Sequence, residues 1–580
     1  MRNLFGTLHP PSGLGPLTGQ AAGRSGPTQR LAWFLVCGAA GWLQAASLAW
    51  PIRGGLVPGT AAGEPDGLLQ VLSLAVLAMA LRSSRSAGQA AWRCWLFATA
   101  WLSGTFWWLF ISMHVYGGLA APLAVMGVAA LAGFLALYYA LATGLMCRVA
   151  PRHSLAQALV FAAVWTLAEL MRGRWLTGFP WGAGGYAHVD TLAGWAPWVG
   201  VYGMGTVAAM LAYGLALLPE LASRWRRRAA TGPLTAGDLM TLAGWTGVLV
   251  LVVVVARGPL ASEQDTRTTG TMRVWLLQGN VPQDEKFVPG KGVALALDWY
   301  PQQLAQAVRP GGAAPDLVVA PETALPLLPQ QLGADFWEPL LSVVDGDGQS
   351  RTATLLGLPL GSFEHGYTNS AWGITPDMAR GREGFPGDRF YRYDKHHLVP
   401  FGEFIPPFLR WFTDLMHIPL GDFSRGAIVQ RPWDWAGQRI APNICYEDLF
   451  GEELAAGFVD AVSAPTVLVN LSNIGWFGDS VAIDQHLQIS RLRALELGRP
   501  MVRATNTGAT AVINHRGEIS AALPRMVRDR LEADVEGRDG LTPYARWASR
   551  WGLMPLWGLC LSVVLAAAVA RRGLRVRPHP

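Results

Sequence analysis

A bundle of about eight membrane-spanning helices carrying one α/β domain is the fold this sequence predicts. Three observations predict it. Hydrophobic residues make up 51% of the 580 residues and charged residues only 15%, against roughly a quarter charged in a soluble domain. Apolar residues gather in runs near 31–50, 66–82, 93–113, 118–147, 154–171, 193–219, 239–256 and 552–570. The stretch 262–550 instead breaks into short Val-, Ile- and Leu-rich runs bounded by turn residues, as buried strands do.

Taking the elements in order, residues 1–30 are rich in Gly, Pro, Ser and Thr and are expected to be a disordered cytoplasmic tail. The first apolar run is too long for a cleaved signal and lacks a small-residue cleavage site. Crossing a bilayer core takes ~20 apolar residues, which most runs reach and 66–82 barely does. Residues 31–257 thus read as seven spans, 551–572 as an eighth and 573–580 as a tail. Arginines cluster at 2, 24 and 30, at 82, 85 and 93, at 148 and 152, at 224 and 226–228, and at 571, 572, 575 and 577, while the alternate loops are poorer. The positive-inside rule then puts both termini in the cytoplasm and 262–550 outside. Net charge agrees, at −8 over 258–550 and +14 over the rest. The basic surplus belongs to the cytoplasmic loops and not to a nucleic-acid surface, so no nucleic-acid partner is expected. Glu169, inside the fifth run, is expected to pair with Arg172 or Arg174.

Within 262–550, strands are expected at 274–277, 317–320, 353–358, 440–444, 467–471, 501–504 and 511–513. A helix is expected over 481–497 with Ile483, Leu487, Leu492, Leu495 and Leu497 broadly on one side. Glu322 follows one strand and Cys445 another, and strand carboxyl ends are where α/β sites assemble. Cys445 is the only cysteine of the stretch. Cys37, Cys94, Cys147 and Cys560 all fall in apolar runs, so it has no disulfide partner there. Core filler, metal ligand and nucleophile are its open roles. With no second cysteine or spaced histidine pair, metal is not expected; His396 and His397, adjacent on a strand, would point opposite ways.

A nucleophilic thiol needs a base and an oxyanion partner. Glu322, in Ala320-Pro321-Glu322-Thr323-Ala324, is the leading base, with desolvation expected to raise its pKa; an ordinary turn glutamate is the alternative. Lys395 is one of three lysines beside 43 arginines, a compact charge suited to a tetrahedral oxyanion, and Glu403 could hold it. After Glu403, residues 404–420 carry Phe408, Trp411 and other apolar side chains in a Pro-interrupted loop, expected to dip into the outer leaflet.

Together Pro321-Glu322, the run Asp394-Lys395-His396-His397-Leu398-Val399-Pro400-Phe401-Gly402-Glu403 and Ile444-Cys445-Tyr446-Glu447 resemble the Glu–Lys–Cys signature of the nitrilase (carbon–nitrogen hydrolase) superfamily. The apolar runs and the Phe401-Gly402-Glu403 ending narrow the resemblance to its membrane-embedded apolipoprotein N-acyltransferase family. Gln278-Gly279-Asn280, Thr177-Gly178-Phe179-Pro180-Trp181, Trp476-Phe477-Gly478, Arg493-Ala494-Leu495-Glu496 and Leu541-Thr542-Pro543-Tyr544-Ala545-Arg546 add to it in order. The resemblance implies a nitrilase-like αββα sandwich. It makes Glu322 the general base, Lys395 the oxyanion stabiliser and Cys445 the nucleophile. Glu403 and Glu447 become supporting carboxylates, Tyr446 a cleft residue and Asn369 a polar wall. Phe287, where the family has Trp, and Trp476 join Phe408 and Trp411 as lipid-access residues. Ile474-Gly475 replaces a family Asp-Ala, which removes a carboxylate there.

The implied reaction is a ping-pong transfer of a fatty acyl chain from a phospholipid, phosphatidylethanolamine by expectation, to the N-terminal amine of a diacylglyceryl-cysteine lipoprotein. It implies no cofactor, a monomer, and a bacterial inner membrane with the α/β domain on the periplasmic side. A membrane-tethered amidase acting on a small amide is the alternative. A transporter is disfavoured by sparse intramembrane charge and the lack of symmetric interrupted helices.

Overall fold

The computed structural model describes residues 27–52, 61–151, 153–229, 235–258, 261–308, 314–380, 389–405 and 423–576. Helices α1 (Pro27–Ala46), α2 (Gly67–Arg82), α3 (Ala87–Phe106), α4 (Ala121–Val149), α5 (Ser154–Arg174), α6 (Ala196–Ala229) and α7 (Ala236–Arg257) precede the α/β domain. Among the described residues five helices are long and apolar enough to cross a membrane, at Ala121–Val149, Ser154–Thr177, Ala193–Ser223, Ala236–Arg257 and Met554–Arg572, where the sequence predicts about eight. The other three have a physical reason to differ. At 16 residues, α2 spans only about 24 Å. Both α1 and α3 carry polar groups, Gln44 and Arg93, which the bundle buries, so these helices need not be apolar all round. Lipid-facing surface is plain on α4 and α7, where Leu123, Val125, Leu137, Leu141, Leu249, Val250 and Val253 are exposed.

Two departures from the sequence reading occur inside the bundle. First, α6 breaks at Gly200, whose φ of +65° suits glycine and where a Cβ would collide with the Tyr544 ring; the Val201 N–H then donates to Glu496 Oε1 at 2.6 Å. Second, Glu169 forms no ion pair with Arg172 or Arg174. Glu169 Oε1 accepts from the Gly184 N–H (2.9 Å), while Arg172 donates to Tyr139 Oη (2.9 Å), the Phe179 carbonyl (2.6 Å) and the Trp181 carbonyl (2.8 Å). Arg172 therefore secures the 177–181 loop.

Strand alternation builds the α/β layers. In β1 (Thr266–Gln278), Val274 and Leu276 enter one core while Trp275 and Leu277 enter another. The same period of two recurs in β2 (Leu317–Val319), with Leu317 and Val319 opposite Val318, as alternating strand faces require. With β3 (Ala353–Ser362), β4 (Gly366–Ile374), β5 (Tyr391–Asp394), β6 (Trp433–Trp435), β7 (Gln438–Ile444), β8 (Val467–Ser472), β9 (Met501–Thr505), β10 (Ala511–Ile513), β11 (Ile519–Ala522) and β12 (Asp529–Gly540), the described residues form two six-stranded sheets. Their orders are β12-β1-β2-β3-β4-β5 and β11-β10-β9-β8-β7-β6. Val274, Leu276, Val319, Ile440, Val467 and Val469 share the core between them. Helices α8 (Gly292–Ala307) and α9 (Ala334–Asp345) cover the first sheet. On the second lie α10 (Ala482–Leu497) and α11 (Pro543–Trp551), which leads into the C-terminal helix α12 (Met554–Val576).

The predicted one-sided α10 is instead buried nearly all round, Gln485, His486, Arg493 and Glu496 included. It is wedged between sheet and membrane bundle. One hydrophobic core runs from Trp101 and Trp165 in the bundle to Tyr446, Phe450, Ile483 and Leu492, so the two layers of protein meet at Cys445.

Candidate active site

Parallel strands aim their carboxyl ends at one place. Cys445 leaves β7, Asn473 follows β8, Glu322 follows β2, Lys395 follows β5, and Asn369 lies on β4. The Cys445 backbone has φ +53°, the left-handed region a non-glycine residue enters at a cost. The turn is held by Glu447. Its Oε2 accepts from the Ile444 N–H (2.6 Å) and Tyr393 Oη (2.8 Å), and its Oε1 from the N–H groups of His396 (2.7 Å) and His397 (3.2 Å). Glu447 thereby ties the cysteine turn to the loop bearing Lys395. Glu447→Ala would strand these donors in a buried site at roughly 1–3 kcal/mol each if unsolvated; a fall in melting temperature together with lost activity is the expected result.

Lys395 is fully buried. Its Nζ donates to Glu403 Oε1 (2.8 Å) and Glu322 Oε1 (3.2 Å), and Asn369 Nδ2 donates to the same two oxygens, 2.7 Å each. The remaining oxygens are also held: Glu322 Oε2 by the Asn473 N–H (2.8 Å) and Glu403 Oε2 by the Val399 N–H (2.8 Å). Burial opposes charge on Lys395, yet the Glu322 and Glu403 carboxylates raise its pKa above the lysine range. For Glu322 the sequence expectation reverses. Burial would raise its pKa, but the Lys395 and Lys286 ammoniums and the Asn369 hydrogen bond bring it below the ordinary carboxylate value. Burial and the Glu322 charge push the Cys445 thiol up to about 12, against the pull of Lys395. Burial and charge thus favour a protonated Cys445 thiol beside an ionised Glu322 carboxylate.

Behind Cys445, Asp448 joins His486 (Oδ1 to Nε2, 2.8 Å), Arg503 (3.1 Å to Oδ2) and Ser490. Asn470 Nδ2 and His486 Nε2 each lie 3.3 Å from the Cys445 carbonyl. The bundle reaches the same turn. Tyr446 Oη donates to the Gly178 carbonyl (3.1 Å), and Trp181, stacked on His486 at 5.5 Å, joins Trp108 in donating to Gln485 Oε1 (2.8 and 3.1 Å).

A cavity of about 1110 Å³ opens from this cluster, with Cys445, Glu322, Lys395, Asn369, Glu403, Tyr446, Phe287 and Trp476 in its wall. It continues along α4 past Gly127, Leu131, Phe134 and Tyr138. Trp476 meets Tyr116 edge-on at 5.8 Å. Phe408 and Trp411 lie outside the described residues. Sequence reasoning missed Lys286, Asn473, Tyr393 and His486. Lysine scarcity marks Lys286; the others are ordinary polar residues whose positions only the fold reveals. Among the described residues no group of three or more His, Cys, Asp or Glu is arranged to hold a metal ion.

Two family models match the chain, the apolipoprotein N-acyltransferase N-terminal domain over 60–214 and carbon-nitrogen hydrolase over 385–539. An apolipoprotein N-acyltransferase of Verminephrobacter eiseniae is 53% identical over 548 residues, covering 90% of this chain and 93% of the relative. One from Ralstonia nicotianae is 46% identical over 509 residues, covering 87% and 89%. Among solved structures, a carbon-nitrogen hydrolase from Helicobacter pylori aligns with 49% of this chain and 95% of its own, at 16% identity and a TM-score of 0.34.

Proposed function

Because the chain belongs to the apolipoprotein N-acyltransferase family, we propose that it moves a fatty acyl chain from a membrane phospholipid, phosphatidylethanolamine in particular, onto the N-terminal amine of a diacylglyceryl-cysteine lipoprotein. The observation that carries this reading is the cavity joining Cys445, Glu322 and Lys395 to α4. An apolar channel from a thiol to a bilayer-facing helix suits an acyl chain, whereas a small amide needs no such length.

In the proposed mechanism the sulfur attacks the ester carbonyl as its proton passes to Glu322. Proton loss and S–C bond formation run together, since a thiol near 12 beside a depressed carboxylate makes a free thiolate scarce. Lys395 neutralises the oxyanion, Glu403 and Asn369 fix Lys395 and Glu322, and Glu447 and Tyr446 hold the turn. As the C–O bond breaks, Glu322 returns the proton to the departing lysophospholipid alkoxide, leaving a Cys445 thioester. The lipoprotein amine then attacks the thioester, giving a proton to Glu322. Glu322 reprotonates the leaving sulfur and an amide results. The apolar cavity favours amine over water at the thioester. Phe287 and Trp476 line the acyl route. One chain supplies all these groups, which supports action as a monomer. It sits in the inner membrane with its α/β domain periplasmic, which the arginine distribution supports.

Incubation with acyl-labelled phosphatidylethanolamine should leave a hydroxylamine-labile label on the chain that passes to a diacylglyceryl-cysteine peptide. No label from any phospholipid, with release of ammonia from a small amide, would favour the amidase reading instead. Gly127→Leu should intrude on the channel, because a Cβ there meets only the flexible Met113 end at 3.3–3.5 Å. About tenfold slower transfer from long-chain phospholipid is expected, with little change on a soluble short-chain ester, read as the ratio of the two rates.

A further inference from the structure

Lys286 is buried, 3% exposed, and no step above uses it. Burying an ammonium is costly unless it is paired. Its Nζ donates to the backbone carbonyl of Glu322 at 3.1 Å, while Lys395 holds the carboxylate of that same residue. The turn it grips is an unusual one. Thr323 has φ +50°, and β3 approaches so closely at Gly357 that a Cβ there would collide with the Pro321 carbonyl. Asp284 and Lys291 of the same loop are exposed and Glu285 is partly so, which leaves the inward titratable groups as those Lys286 acts upon. These are Glu322, with which it interacts directly, and Cys445. The nearby charged groups beyond them are Glu403 with Lys395 and Asp448 with Arg503.

We propose that Lys286 is a positioning residue for acyl transfer, pinning the Glu322 turn by its carbonyl and supplying a second positive charge that favours anionic character at Cys445. The inference rests on Cys445 being the acyl-carrying nucleophile. Negative charge must develop on sulfur and then on the carbonyl oxygen during transfer. With Lys395 already shared between two carboxylates, one ammonium leaves that charge under-compensated. Lys286 offsets it without standing in the path of substrate, because it approaches Glu322 from the backbone side.

The test is alkylation of Cys445 in the purified full chain, followed by peptide mass spectrometry, with anionic iodoacetate and neutral iodoacetamide compared in wild type, Lys286→Met and Lys286→Arg. Neither reagent requires lipid, so failure here and failure of the acyl-transfer reading are separate results. In Lys286→Met the iodoacetamide rate is expected to fall about tenfold, the scale of losing one opposite charge beside a titrating group. The iodoacetate-to-iodoacetamide ratio is expected to fall a further threefold or more. Lys286→Arg should restore the ratio to within about twofold. Wild type carries an internal control, since burial pushes the Lys286 ammonium down to about 8. Its ratio should therefore drop as pH rises through 8, whereas that of Lys286→Met stays level. Equal slowing of both reagents, at an unchanged ratio, would mark Lys286 as packing alone and overturn the proposal. If Lys286→Met does not fold, Lys286→Gln is read in its place, and an unchanged reagent ratio there overturns the proposal equally.

Discussion

Cys445→Ala is expected to abolish both the thioester label and acyl transfer, with turnover falling roughly 10⁴- to 10⁶-fold, as when a covalent nucleophile is removed. Transfer of labelled acyl chains to a diacylglyceryl-cysteine peptide measures it. The fold should survive, because the turn is held by Glu447, Asn470 and His486 acting on backbone groups and not by the sulfur. Alanine keeps the positive φ and its strain. Cys445→Gly should be equally inactive and more stable than Cys445→Ala by about 1 kcal/mol, because glycine enters the left-handed region freely. A pair of dead variants ordered Gly above Ala in thermal stability would identify a strained turn. If Cys445→Ala retained transfer, the acyl-enzyme route would have to be abandoned.

Lys395→Met is expected to cost activity and stability together. Loss of the proposed oxyanion partner should slow transfer about 10²- to 10³-fold. Two carboxylates that converge on one ammonium would be left facing each other around Asn369, and breaking a buried pair costs about 3–5 kcal/mol. The pH dependence has a definite sign. In wild type the Glu322 pKa lies below its ordinary 4.5, so its stabilisation is complete above that value and fades as pH falls through the folded pKa. The Lys395 pKa lies above its ordinary 10.5, so its stabilisation is complete below that value and fades only as pH rises through the folded one. The cluster therefore supports the fold from about pH 5 to 10. In Lys395→Met, Glu322 loses the positive charge that most lowers its pKa, and burial then raises that pKa. The variant's deficit in melting temperature should shrink on going from pH 8 to pH 5. A deficit independent of pH would show that Lys395 contributes packing and not charge.

Much of this site was legible along the chain because its chemistry is written in residue types that composition makes rare. Cys445 stood out as a thiol without a partner and Lys395 as one of three lysines, and the apolar runs announced a membrane. The strands at 274–277 and 467–471 follow from short apolar runs bounded by polar or turn residues. Other features had no local signal. That α10 would be buried on every face could not be read from its mixed composition, because Gln485 and His486 are satisfied by Trp108, Trp181 and Asp448, from distant parts of the chain. Glu169 shows the same effect: sequence proximity points to Arg172, but the Gly184 N–H and the Phe179 and Trp181 carbonyls give each residue a closer partner.

By itself, the sequence determined the class of fold, the apolar helices in outline, and the thiol, carboxylate and ammonium proposed to carry the chemistry. Those follow from local hydrophobicity and from the side chains' intrinsic reactivity. Only the tertiary structure decided the charge states, the strained Cys445 turn, the place of Lys286 behind Glu322, and the joining of the site to α4. A pKa is set by burial and by neighbours within a few ångströms, and Glu322, Lys395 and Cys445 become neighbours only when β2, β5 and β7 end at the same place.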